Sequence, residues 1–122
     1  MRAVRGAITV SQNSEKEILD AASHLFKEIV KRNNLTEEEI VSVIFSVTPD
    51  LDAAFPARAV REMGYRFVPL LDLSHMDVKG ALPKTIRVMV FINRDVSLKD
   101  INHVYLGDAA KLRPDLMKGE EK

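Results

Sequence analysis

Two arginines stand where a charge is seldom left unattended. Arg5 falls inside the strand-like run Met1 to Val10, and Arg87 interrupts the most apolar stretch of the second half, Thr85 to Ile92. A guanidinium projecting from a strand is either paired with a carboxylate of the protein or available to an anionic ligand. Arg32 and Arg66 sit at element ends, where a solvated charge costs little, and Arg61 on a short helix and Arg113 before Pro114 read first as surface charges. Tyr105 reads as a half-buried strand aromatic and Phe55 as a core or interface anchor.

Other chemistries find no residues to perform them. There is no cysteine, which removes disulfides, thiol catalysis and thiolate metal sites. No glycine-rich phosphate loop, no histidine pair at metal-ligand spacing and no serine in a nucleophile-elbow context occurs. The three histidines, His24, His75 and His103, are far apart in sequence and read as packing or solvent contacts. What remains is a pocket that grips an anion with arginines and works by fixed charge.

The chain that must hold such a pocket has 122 residues, 46% hydrophobic and 30% charged, the make-up of one domain with an ordinary core. Lys and Arg number 18, Asp and Glu also 18, and no run of five like charges occurs, which argues against a nucleic-acid or membrane-surface partner. The longest apolar stretch, Ile40 to Val47, is broken by two serines and is too short to span a bilayer. The first residues lack the continuous apolar segment of a secretory signal, so a cytoplasmic location is expected.

Period and punctuation supply the elements. Met1 to Val10 predicts a strand, with Arg5, Ala3, Ala7 and Thr9 on one face and Val4, Ile8 and Val10 with Gly6 on the other. Ser14-x-x-Glu17 has the form of a capping box and precedes Ile18, Ala22, Leu25 and Ile29 at helical spacing, predicting one long helix that ends near Asn33-Asn34. Thr36-x-x-Glu39 leaves room for one helical turn before the strand Val41 to Val47. A short helix follows over Ala57 to Met63, closed by Gly64. Strands are predicted over Phe67 to Leu73, confined to an edge or a bulge by Pro69, over Thr85 to Ile92, and over Asn102 to Leu106. Gly107 to Leu112 is open between a turn and a short helix. The expectation is a single α/β (α+β) domain over residues 1–117, a mixed sheet with one long and several short helices, and a polar tail at 118–122.

The segments Arg5-Gly6-Ala7-Ile8-Thr9-Val10, Thr48-Pro49-Asp50-Leu51, Phe55-Pro56-Ala57-Arg58-Ala59-Val60-Arg61, Ile86-Arg87-Val88, His103-Val104-Tyr105-Leu106 and Leu112-Arg113-Pro114-Asp115-Leu116 resemble, in this order, the monofunctional chorismate mutases of the trimeric pseudo-α/β-barrel class. The resemblance implies the pericyclic rearrangement of chorismate to prephenate in aromatic amino-acid biosynthesis, without covalent intermediate, metal or cofactor. It also implies a homotrimer with active sites in the clefts between subunits. Arg87 corresponds to the arginine that bonds the ether oxygen of the breaking C–O bond, and Arg5 and Tyr105 to residues that hold the side-chain carboxylate. Arg61 and Arg113 correspond to arginines at the pocket mouth, and Phe55, Ala57, Arg58, Leu70, Leu71 and Leu112 to positions that line the pocket.

One position departs from the family pattern. His75 stands where a glutamate accepts a bond from the substrate's ring hydroxyl, and Asp72, three residues earlier, replaces a small neutral residue. The expectation is that both border one pocket, that Asp72 takes over the acidic role and that His75, neutral between positive charges, shapes the wall. Two other readings stand beside it. A trimeric carboxylate-binding or regulatory protein on the same architecture would follow from the missing glutamate, and a small trimeric imine deaminase would also grip a carboxylate with an arginine. Ile86-Arg87-Val88, Tyr105 and Leu112-Arg113-Pro114 favour the mutase over the deaminase.

Overall fold

The computed structural model describes residues 1–112. Arg2–Thr9 form strand β1, Glu15–Asn33 helix α1, Ile40–Val47 β2, Ala57–Glu62 α2, Leu70–Ser74 β3, Thr85–Ile92 β4 and Val104–Leu106 β5, with single 3₁₀ turns at Glu37–Glu39, Leu98–Asp100 and Gly107–Lys111. The five strands make one sheet in the order β3-β2-β4-β1-β5. β4 lies between β1 and β2 and runs antiparallel to both, while β3 and β5 pair in parallel at the two edges.

One face of the sheet is covered. Val4 and Ile8 of β1, Val43 and Phe45 of β2, and Ile86, Val88, Val90 and Ile92 of β4 meet Ile18, Ala22, Leu25, Phe26 and Ile29 of α1 in one core. Gly6 lies beneath α1: a Cβ there would stand 2.9 Å from Ile29 Cδ1 and 3.0 Å from the Val104 carbonyl oxygen. Ala57, Ala59 and Val60 of α2 join the same core. No helix of the described residues covers most of the opposite face, where Ile44, Ser46, Arg87 and Met89 project.

The helix ends follow the residues at them. Ser14 Oγ accepts the Glu17 backbone N–H, but Glu17 does not reciprocate to Ser14. Its carboxylate turns outward to accept from Ser11 N, Ser11 Oγ and Gln12 N, so half of the expected capping box forms. Asn34 ends α1 in the left-handed region at φ 50, as its side chain permits. At Thr36 the second box holds the single turn, with the Thr36 N–H donated to Glu39 Oε1.

Two strands start later than expected, for different reasons. β3 begins at Leu70 because Pro69 has no N–H to donate; its carbonyl takes the Val43 N–H at 2.9 Å and Phe67, before it, is 88% exposed. β3 is an edge strand, one of the two places Pro69 allowed. β5 begins at Val104 because the Asn33 side chain claims both backbone groups of Asn102, accepting its N–H at 2.8 Å and donating to its carbonyl at 2.9 Å. Gly107–Lys111 settles as a 3₁₀ turn. Val41 is the extra residue of a bulge in β2, since Ile40 pairs with Ile92 and Ser42 with Phe91. Arg113 and the tail at 118–122 lie outside the described residues.

Candidate active site

The two arginines singled out from the sequence come together. Arg5 lies opposite Met89, and Arg87 opposite both Ala7 of β1 and Ser46 of β2. Alternation therefore turns both guanidiniums to the uncovered face. There a pocket of about 300 Å³ is lined by Arg5, Ile44, Ser46, Arg87, Met89 and Tyr105. Among the described residues neither of the strand arginines, Arg5 and Arg87, has a carboxylate within ion-pairing distance, although Lys16, Arg32, Arg58 and Arg94 do.

Tyr105 is carried by β5, opposite Ala7, and is only 6% exposed. It forms a small cluster with Ala7 and Ala109, against which Leu112 packs. Two small residues of β1 and the 3₁₀ turn thus make the seat for the Tyr105 ring. Ala7, assigned to the open face with Arg5, is buried there by this ring.

His75 follows the end of β3, where its N–H bonds the Val47 carbonyl at 2.9 Å. It shares with Ser46, Arg87, Met76 and Val78 a depression of about 490 Å³ that adjoins the arginine pocket. Burial first, and then the Arg87 charge, push its pKa below the usual imidazole value, against weaker opposing effects of the Ser46 backbone and Asp50. Its Nδ1 is buried and has no partner. The ring, whose pKa is lowered in the direction expected from the sequence, stands beside Arg87.

Asp72 does not join this group. It lies in register with Phe45, on the covered face, whereas Arg87 is level with Ser46, whose neighbour in β3 is Leu73. Its Oδ1 accepts the Ala57 N–H at 3.0 Å, capping the start of α2. Desolvation raises its pKa, offset in part by that bond and by the Arg61 charge. The expectation that Asp72 and His75 border one pocket does not hold within a single chain. The reason is geometric: Asp72 is inside β3 and turned by its pleat, whereas His75 lies beyond the strand's end.

Of the remaining expected wall residues, all but Leu71 lie on the Asp72 side. Phe55, 72% exposed, borders with Asp72, Leu51 and Ala54 a cleft of about 270 Å³. Ala57 opens α2, Arg61 is exposed on it, and Arg58 is held by Glu15 at 3.0 Å and Glu62 at 2.8 Å. Leu70 faces the core side with Val43, and Leu71, 52% exposed, faces the open side with Ile44. The candidate residues therefore form two groups on one chain, one around Arg87 and one around Asp72. Ile44, Ser46 and Met89 belong to the first group without having been anticipated, and a lone serine or aliphatic residue in a strand carries no signal that would have found them. Among the described residues no three His, Asp or Glu side chains converge to hold a metal ion, and no helix is long and apolar enough to cross a membrane.

Fold and site define an α+β domain with a pocket of about 300 Å³ on one open sheet face, into which two arginines project. A family model for chorismate mutase type I matches residues 1–116. The chain is 45% identical over 117 residues to the chorismate mutase AroH of Bacillus subtilis, covering 95% of this chain and 92% of that protein. It is 43% identical over 117 residues to the chorismate mutase AroH of Thermus thermophilus, covering 95% and 96% respectively. A solved chorismate mutase from Clostridium thermocellum has a similar fold, with a TM-score of 0.89 and 49% identity over 91% of this chain and 99% of that one. The chain belongs to the type I chorismate mutase family.

Proposed function

We propose that the protein is a chorismate mutase that rearranges chorismate to prephenate in the pocket of Arg5, Arg87 and Tyr105, as an isomerase of aromatic amino-acid biosynthesis in the cytoplasm. The observation that carries this reading is the convergence of two guanidiniums without carboxylate partners on one pocket. Arg5 and the Tyr105 hydroxyl hold the side-chain carboxylate. Arg87 is aimed at the ether oxygen, where negative charge develops as the C–O bond lengthens. A fixed cation at that point gains more in the transition state than in the ground state, which is the condition for raising kcat. Holding the flexible ether in its compact conformer lowers the entropic part of the barrier.

The second group completes the site from a neighbouring copy. In this reading Phe55, Ala57, Arg58, Arg61, Leu70, Leu71 and Asp72 of one protomer close over the Arg87 pocket of the next in a homotrimer. The uncovered sheet face, with Leu71 and Leu73 half exposed, supports a protein partner there. Asp72 then supplies the negative charge that the family's glutamate would place between the guanidiniums, and His75 accepts the ring hydroxyl or shapes the wall. Leu112, which packs beside Tyr105, lines the pocket. No cofactor takes part.

The test is the loss of chorismate absorbance on adding purified protein, with prephenate as product and no effect of a chelator. No loss of absorbance, or strict dependence on a metal or nucleotide, would overturn the reading.

A further inference from the structure

His103 has no place in the chemistry just described, yet its ring is built into the sheet where the two carboxylate-binding residues meet. The backbone N–H of Arg5 points toward β5. That strand starts only at Val104, so at the level of Arg5 no ladder pair is formed. His103 Nδ1 fills the gap, accepting the Arg5 N–H at 2.9 Å. A ring nitrogen accepts only when it carries no proton, so the bond requires the tautomer with its hydrogen on Nε2.

The residue before it is held equally firmly. Asn33, 6% exposed, takes both backbone groups of Asn102, and it also bonds the Ile29 carbonyl of its own helix at 3.0 Å. Asn102 Nδ2 in turn donates to the Arg32 carbonyl at 2.9 Å. A run of hydrogen bonds thus leads from the C-terminal turn of α1 through Asn102 to His103 and the Arg5 backbone, and Tyr105 lies two residues further on. β5 has three residues and so little ladder of its own to fix where Tyr105 stands relative to Arg5.

We infer that His103, anchored through Asn102 by Asn33, is a positioning residue that sets Arg5 and Tyr105 in the register needed to grip a carboxylate. The inference rests on the reading of the pocket given above. Arg87 lies on β4, away from this clasp, so loss of the clasp acts on binding of the carboxylate and spares the group that stabilises the transition state.

Two measurements test it. In the ¹⁵N-labelled protein without substrate, a scalar coupling across the hydrogen bond is expected between the Arg5 backbone nitrogen and His103 Nδ1. A protonated Nδ1, or no coupling, overturns the inference. In kinetics, His103→Ala is expected to raise KM for chorismate about 10-fold with kcat little changed, a buried donor having lost its acceptor. His103→Asn, whose Oδ1 can occupy the place of Nδ1, restores most of the affinity. A fall in kcat at unchanged KM, or His103→Asn no better than His103→Ala, would show a merely structural role. If His103→Ala does not fold, the coupling and the His103→Asn variant still decide. An inactive wild-type protein would overturn both readings, and the coupling would then show whether the bond exists without the function.

Discussion

Asp72 and Arg87 project from opposite faces of one sheet. β2 provides the scale: Asp72 is level with Phe45, which packs in the core, and Arg87 is level with Ser46, which borders the open pocket. A carboxylate on the covered face cannot serve the guanidinium of its own chain, and a joint role needs two copies. Asp72→Asn keeps an oxygen for the Ala57 N–H and removes only the charge, so it is expected to abolish most activity while the protein stays folded. On the proposed trimeric reading, refolding equal amounts of Asp72→Asn and Arg87→Ala chains together should restore roughly a quarter of the wild-type sites, since each mixed trimer would hold one intact pair. No recovery would confine each residue to its own chain.

Arg87 itself should dominate the rate. Arg87→Ala is expected to lower kcat by about three orders of magnitude, since it removes a fixed donor at the atom where charge develops. Lys should rescue little, because it offers a point charge on a flexible stem. Steady-state kinetics decides, and a change in KM alone would make Arg87 a binding residue.

His75 should set the acid limb. Its folded pKa lies below the ordinary imidazole value of 6.5, so above that pH the ring is neutral in both states and folding is undisturbed. As pH falls below the unfolded value, the unfolded chain binds the proton first and stability drains away until the folded pKa is passed. His75→Gln should therefore flatten the decline of both Tm and kcat/KM below about pH 6.5. An unchanged acid limb in His75→Gln would assign it to another group.

Glu39 and Arg94 behave in the ordinary carboxylate sense. Arg94 donates to both Glu39 oxygens at 2.8 Å and reaches the Asn33 carbonyl at 2.6 Å, tying the end of α1 to the residues after β4. Bonds from Arg94 and the Thr36 backbone hold the Glu39 pKa down to about 2. The folded state keeps this carboxylate charged, so its contribution is complete above the unfolded value of 4.5 and is lost as pH falls toward 2. The Tm difference between wild type and Glu39→Gln should be largest near neutral pH and vanish near pH 2. A difference independent of pH would show that the carboxylate's charge is immaterial.

Gly6→Ala tests the close approach of α1. The added methyl would meet Ile29 Cδ1 at 2.9 Å and, less forgivingly, the Val104 carbonyl at 3.0 Å. Overpacking of this kind costs about 1–3 kcal/mol, and denaturant titration should read it as a lower midpoint at unchanged slope. A neutral effect would mean that β5 gives way.

Much of this was legible because local physics and tertiary packing agree. The apolar spacing in α1, Asn34 at its end, Gly64 beyond α2 and Pro69 before β3 each act within a few residues of where they stand, and the sequence exposes them. Arg5 and Arg87 were legible as an open alternative, since a strand arginine is either paired with a carboxylate of the protein or available to an anion, and the sequence does not show which. The side of the sheet taken by Asp72 was not, because a family likeness places residues in a site without saying which copy supplies them. The Asn33 clasp on Asn102 and the bond from Arg5 to His103 span 69 and 98 positions, and no local pattern announces a contact that distant.

The position of β4 has a consequence for how the pocket tolerates motion. Flanked on both sides by antiparallel neighbours, it is the strand whose amide hydrogens should exchange last, close to the rate of global unfolding, while the three residues of β5 exchange through local opening. Arg87, proposed to meet the developing charge, is therefore mounted on the strand expected to open last. Tyr105, proposed to receive the incoming carboxylate, is mounted on a short edge strand. Such a division lets the entrance breathe as ligand arrives and product leaves, on microsecond-to-millisecond timescales, without loosening the field at the reacting bond.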